Sequence, residues 1–174
     1  MTKNNLAIIV LNWNGADDAL ECINSLAQQT LKPTIIIVDN HSHDDSVMRF
    51  EQYQTEHPSV DCIIIANNKN LGFAGGINTG LVYARKQGFE YIGVLNPDAV
   101  ADKNWCRALV DELSSQPKCG IATGILQRRD GKTLDTTGDF YTTWGLPGPR
   151  NRDEPIENAP SKPGEVFGAT GGGA

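Results

Sequence analysis

Four short runs in this chain are apolar almost throughout instead of alternating with polar residues: Leu6 to Leu11, Ile35 to Val38, Asp61 to Ala66 and Tyr91 to Leu95. A strand can be apolar on both faces only where both faces are covered, so such runs predict a largely parallel sheet buried between helices. The segments between them have the matching helical period. Asp17 to Gln29 puts Ala19, Cys22, Ile23 and Leu26 on one face, Ser46 to Glu56 reads as a polar helix, and Ile77, Leu81 and Ala84 mark the buried face of a third. Strands alternating with helices give an α/β fold with a mostly parallel central sheet.

Each strand ends in a polar or glycine-rich segment, and ligands of open α/β sheets bind outside the carboxyl ends of the strands. Asn12 to Gly15, Asp39 to Asp44, Asn67 to Gly76 and Asn96 to Asp98 are therefore expected to converge on one cleft.

The second half is less regular. A helix from about Lys103 to Ser115 is expected to lead into a short strand, Cys119 to Thr123. Ile125 to Arg129 and Lys132 to Leu134 then form a hairpin around the favoured two-residue turn Asp130-Gly131. Thr136 to Glu165, rich in Gly, Pro and charge, reads as a long loop carrying Tyr141 and Trp144. At 174 residues with 39% hydrophobic content the chain has the size and core of one domain, divided at about residue 101 into a ligand-binding half and the start of a second half.

Composition excludes some functions. A formal charge of −6, without clustered Lys and Arg, argues against nucleic acid as a partner. No apolar run approaches the ~18 residues of a spanning helix, and Cys22, Cys62, Cys106 and Cys119 are too dispersed for a zinc site, reading as reduced structural thiols of a cytoplasmic protein.

Three segments carry candidate chemistry, each with a structural alternative. Asp39 ends a buried strand, where its carboxylate can accept the imide N–H of uracil or thymine or simply close an Asx turn. The stretch Asn70-Leu71-Gly72-Phe73-Ala74-Gly75-Gly76-Ile77-Asn78-Thr79-Gly80 lets backbone approach a diphosphate at a helix N-terminus, or serves only a tight strand-to-helix turn. Asp98, in Asn96-Pro97-Asp98, is either a hard oxygen ligand for Mg²⁺ or Mn²⁺ or a cap for the following helix. The glycine spacing fits neither a dinucleotide fingerprint nor a phosphate loop.

Taken in order, Val38-Asp39-Asn40 with Ser42 and Asp44, then Asn70-x-Gly72-Phe73-Ala74-x-Gly76-x-Asn78-x-Gly80, then Leu95-Asn96-Pro97-Asp98 resemble the nucleotide-sugar motifs of inverting family 2 glycosyltransferases with the GT-A fold. Asn12-Trp13-Asn14-Gly15 and the Asn-Pro-Asp variant are most similar to the rhamnosyltransferase-like branch, which acts on bacterial cell-surface polysaccharide. The resemblance implies a hexosyltransferase moving a sugar, with inversion, from a nucleoside diphosphate sugar to a saccharide or lipid-linked acceptor. The implied donor is dTDP-rhamnose, with a UDP-sugar as alternative. It implies that Asn12 and Asp39 hold the base, that Asn70, Gly72, Phe73, Gly76 and Asn78 shape the ribose and diphosphate pocket, and that Asp98 beside Asn96 binds the divalent cation. Asn96 stands where the wider fold carries an Asp, which removes one negative charge.

The family's general base lies downstream of a Gly-Ala-type segment, and none of Asp135, Asp139, Asp153, Glu154, Glu157 or Glu165 occupies that position. The base is expected beyond Ala174, in a longer protein whose donor-binding part this chain represents and which associates peripherally with the inner face of the membrane. A nucleotide-binding module without transferase activity and a sugar nucleotidyltransferase are the alternatives. Against the latter, Leu11-Asn12-Trp13-Asn14 is a poor match to its glycine-rich activating loop.

Overall fold

The computed structural model describes residues 5–173. The chain divides into two compact units, Met1–Arg107 and Ala108–Ala174.

The first unit is built on a four-stranded sheet. Its elements run β1 (Leu6–Asn12), α1 (Ala16–Ala27), β2 (Thr34–Asp39), α2 (Ser46–Glu56), β3 (Cys62–Ala66), α3 (Gly72–Gln87), β4 (Tyr91–Leu95) and α4 (Trp105–Ser115), the last crossing the boundary between the units. All neighbouring pairs are parallel and the order is β3-β2-β1-β4, so the chain moves outward from β1 through β3 and then crosses to the far side of β1. Topology therefore puts a switch point between the carboxyl ends of β1 and β4. The central strands β1 and β2 are buried along their whole length, whereas the edge strands β3 and β4 are mostly half-buried, in line with their apolar sequences.

One face of the sheet, Ala7, Ile9, Leu11, Ile36 and Val38, packs against Ile77 and Ala84 of α3. Glycine sets how close that helix comes. A Cβ on Gly76 would lie 2.4 Å from Leu11 Cδ1, and one on Gly80 would lie 2.7 Å from Ile9 Cγ2. The buried side of α1, including Ala19, Cys22, Ile23 and Leu26, packs on β1, and α2 packs against α1 and β3.

The second unit holds two small antiparallel pairs. β5 (Leu126–Gln127) pairs with β6 (Leu134–Thr136), and β7 (Asp139–Tyr141) pairs with β8 (Pro147–Pro149). Three expectations need correction here. Cys119 to Thr123 forms no strand, since its residues are exposed or half-buried and make no ladder, with Ile121 70% exposed. The 126–134 hairpin is present but its turn is longer than Asp130-Gly131: Arg128 N–H donates to Thr133 O at 2.9 Å, and the Asp130 carboxylate caps the N–H groups of Lys132 and Thr133. Within the expected long loop, β7 and β8 form a second hairpin that the prolines of Pro147-Gly148-Pro149 had disguised.

Candidate functional site

The carboxyl end of β1 meets that of β2 with Asn12 opposite Asp39. Both side chains are buried, and Asn12 Nδ2 donates to Asp39 Oδ1 at 3.0 Å. Ser42 completes the group: its N–H donates to Asp39 Oδ2 at 2.9 Å and its hydroxyl to Oδ1 at 2.6 Å. Asp39 thus closes the Asx turn that was its structural alternative, while standing at the strand end expected of a base-binding carboxylate. The turn ties two loops together, because Ser42 Oγ also accepts from Asn14 N–H at 2.9 Å and Asn14 Oδ1 accepts from His43 N–H at 2.8 Å. Asn14 has φ +52°, a left-handed conformation that Asn tolerates better than most residues.

Asn40 makes the next connection, and sequence reasoning gave it no role of its own. It is buried, its Nδ2 donates to Asn70 Oδ1 at 2.9 Å and to Gly72 O at 3.2 Å, and its Oδ1 accepts from Asn67 Nδ2 at 3.1 Å and Leu71 N–H at 3.0 Å. An amide offers donors and an acceptor at one point, so a single side chain pins the β2 end to the segment that starts α3. The available signal was an Asn directly after a strand-ending Asp in the quoted motif.

Residues 67–71 form the expected loop, but from Gly72 on the stretch is helical, which shortens the expected Asn67 to Gly76 loop. The helix α3 starts at Gly72, so Gly72, Phe73, Gly76 and Asn78 lie on its first turns. Gly76 is buried and serves the close packing on Leu11 already described, with no surface to offer a ligand. Gly72 differs: it has φ +70°, and nothing lies within 4 Å of where its Cβ would be. Asn70, Phe73 and Asn78 are exposed. Leu71 supplies no side-chain cap and the first turn carries no acidic residue, while Gly72 N–H donates to Asn70 Oδ1 at 2.8 Å, so the positive end of the helix dipole is met within the helix by no carboxylate of its own.

Asp98 follows β4 in a tight turn, with Ala99 N–H donating to Asn96 O at 3.1 Å and Pro97 in the favoured second position. Just before α4, the Asp102 carboxylate accepts from Asn104 N–H at 2.9 Å and its carbonyl accepts from Trp105 N–H at 2.9 Å. The segment after the turn is anchored by buried Gln29, which donates to Asp102 O at 2.7 Å and accepts from Cys106 N–H at 2.9 Å. Asp98 itself is exposed, and its charge reaches back to Cys22, whose thiol is pushed up to about 12 by burial first and by that carboxylate second. Cys106 is pushed up to about 12 by burial alone, so both thiols stay protonated and inert near neutrality.

The oxygen atoms at this turn fit a hard divalent cation in part. Asp98 brings one carboxylate, and Asn96 Oδ1 is a buried acceptor with no hydrogen-bond partner among the described residues. No group of three or more His, Cys, Asp or Glu is placed to hold a metal among the described residues, so a cation here would have to complete its shell from ligand oxygens and water.

A family model described as glycosyl transferase family 2 matches residues 7–174. The chain belongs to that family. Among curated relatives of this family 2 chain, a galactofuranosyltransferase of Mycobacterium tuberculosis is 28% identical over 123 residues, which is 70% of this chain and 38% of the relative. A glucosyl-dolichyl phosphate glucuronosyltransferase of Haloferax volcanii is 25% identical over 111 residues, 60% of this chain and 31% of the relative. The chain therefore spans less than two fifths of the length of either relative. Among solved structures, a mannosyltransferase of Pyrobaculum calidifontis in complex with GDP-Man and Mn²⁺ superposes with a TM-score of 0.65 at 22% identity, covering 72% of this chain and 36% of that one. This likeness identifies the fold as GT-A-like.

Proposed function

We propose that this chain is the donor-binding part of a glycosyltransferase that moves a sugar from a nucleoside diphosphate sugar, with inversion, to a saccharide or lipid-linked acceptor. The observation that carries this reading is the Asn96-Pro97-Asp98 turn at the carboxyl end of β4, beside the switch point, with the Asp98 residue exposed. The reading assigns the nucleoside base to the segment around Asn12 and Asp39, whose buried side chains hold the strand ends in place, and the ribose and diphosphate to Asn70, Gly72, Phe73 and Asn78. Gly76 acts indirectly, by allowing α3 close to β1. A divalent cation would be held by Asp98 with Asn96, where it would neutralise the diphosphate leaving group. Curated relatives named as sugar transferases support the class, and a structural neighbour solved with GDP-Man and Mn²⁺ supports a nucleoside diphosphate sugar and a divalent cation.

The finer reading takes dTDP-rhamnose as donor and cell-surface polysaccharide as product, at the inner face of the membrane, and rests on the motif resemblance. Calorimetric titration with UDP, dTDP and GDP in Mn²⁺ tests the donor assignment: saturable binding with a preference for dTDP or UDP is expected, and no binding of any of the three rejects it.

A further inference from the structure

Two of the chain's three histidines stand side by side on the loop after β2, and neither has a part in the donor site described above. His41 and His43 are both exposed, and their rings lie with centroids 5.0 Å apart and planes at 77°. Side chains two residues apart meet only where the backbone turns them to the same side. Here the backbone is pinned on three counts: Ser42 N–H donates to Asp39 Oδ2 at 2.9 Å, His43 N–H to Asn14 Oδ1 at 2.8 Å, and Ser46 N–H to Asp44 Oδ1 at 3.1 Å. The pair is carried on a fixed loop, so little backbone freedom is left to lose when a ligand binds.

His41 takes φ +67°, in the left-handed region that glycine occupies without strain and other residues seldom do. Being exposed, its side chain fills no core, and an outlier of this kind points to a use for the side chain itself. An edge-to-face ring contact accounts for the separation of the two imidazoles but not for that setting.

Neutral imidazole nitrogens are ligands for borderline divalent cations such as Zn²⁺ and Ni²⁺, whereas Mg²⁺ and Mn²⁺ prefer oxygen. With a Zn–N distance of about 2.0–2.1 Å, the ion lies about 3.2 Å from each ring centroid, and two imidazoles at a tetrahedral angle hold their centroids about 5.2 Å apart. His41 and His43 already stand at that spacing. The local field has the right sign as well: Asp39, Asp44 and Asp45 lie between Pro33 and Met48, a stretch without Lys or Arg. No third His, Cys, Asp or Glu joins the pair among the described residues, so water completes the shell.

We infer that His41 and His43 form a two-imidazole site for a borderline divalent cation of the Zn²⁺ class, separate from the hard-cation turn at Asp98. An ion held there clips residues 41–43 together, and with them the Ser42 turn that grips Asp39. The inference does not rest on the transferase reading.

Calorimetric titration of tag-free protein with ZnCl₂ and NiCl₂ tests it, with histidine ring resonances followed by NMR during the same titrations. One saturable ion per chain is expected, moving the ring signals of His41 and His43 and leaving those of His57 in place. Binding should weaken at least about tenfold in His41→Gly and in His43→Ala, and by at least as much between about pH 7.5 and about pH 5.5, where both imidazoles become protonated. His57→Ala, Cys119→Ala and Asp98→Ala should bind the ion as wild type does. Glycine accepts the left-handed φ at position 41, so His41→Gly is expected to keep the wild-type circular dichroism and a lost ion reports a lost ligand. No saturable binding, undiminished binding in His41→Gly or His43→Ala, or binding that depends on His57, Cys119 or Asp98 overturns the site.

Discussion

Asn12 and Asp39 face each other across the two central strands, amide to carboxylate at 3.0 Å, both sealed from solvent. The carboxylate also holds the backbone and hydroxyl of Ser42, so one side chain organises the ends of β1 and β2 before any ligand arrives. Asp39→Ala should therefore lower stability by about 2–3 kcal/mol, because it leaves buried donors unmatched, in addition to weakening nucleotide binding. Urea unfolding measures the first effect and calorimetry the second; a variant with wild-type stability would contradict the structural role.

Asn40→Ala should act at a distance from any ligand atom. Losing four hydrogen bonds to Asn67, Asn70, Leu71 and Gly72 frees the start of α3, with an expected cost of about 2–4 kcal/mol and a marked loss of nucleotide affinity. Faster amide hydrogen exchange at 70–73 is the direct readout.

The glycines of α3 should separate by role. Gly80→Ala drives a methyl to 2.7 Å from Ile9 and should cost about 1–3 kcal/mol through overpacking, with intrinsic nucleotide affinity little changed in the folded fraction. Gly72→Ala meets no neighbour but forces a left-handed alanine, costing about 1–2 kcal/mol, and should reduce nucleotide affinity more strongly than Gly80→Ala. Paired denaturation and calorimetry on the two variants check the ordering.

How much of this was legible in the sequence follows from what each signal encodes. β1 to β4 were readable because strands buried on both faces are apolar without alternation, and their loops fell at the carboxyl edge as a parallel sheet requires. The start of α3 was not readable, because Gly72, Gly75 and Gly76 signal loop by propensity while Leu11 and Ile9, far away in sequence, demand small residues on a helix. Asp98 was ambiguous between ligand and cap because a single carboxylate after an Asn-Pro step and before a helix suits either role. The β7–β8 hairpin was hidden by Pro147 and Pro149, which are admissible only because β8 is an edge strand.

Alkaline pH should loosen the first unit through its buried thiols. Cys22 and Cys106 are raised from the ordinary thiol value of 9.0 to about 12, so above pH 9 the unfolded chain loses protons that the folded chain keeps. Their stabilising contribution is complete below pH 9 and is lost between pH 9 and about 12, at roughly 1.4 kcal/mol per pH unit for each thiol. Urea unfolding at pH 8 and pH 10 should show the decline, reduced in Cys22→Ala relative to its own value at pH 8. At pH 8 a thiol reagent should label half-exposed Cys119 quickly and Cys22, Cys62 and Cys106 only after unfolding.

The central claim is that the turn after β4 holds a metal-bound diphosphate through Asp98. Calorimetric titration of UDP and dTDP into wild type, Asp98→Ala and Asn96→Asp, each with and without Mn²⁺, tests it most directly. Asp98→Ala should bind the nucleotide at least about tenfold more weakly in Mn²⁺ while keeping wild-type stability, and Asn96→Asp, by adding a carboxylate, should tighten Mn²⁺ binding in the absence of nucleotide. Equal nucleotide affinity in wild type and Asp98→Ala in the presence of Mn²⁺ would contradict the account.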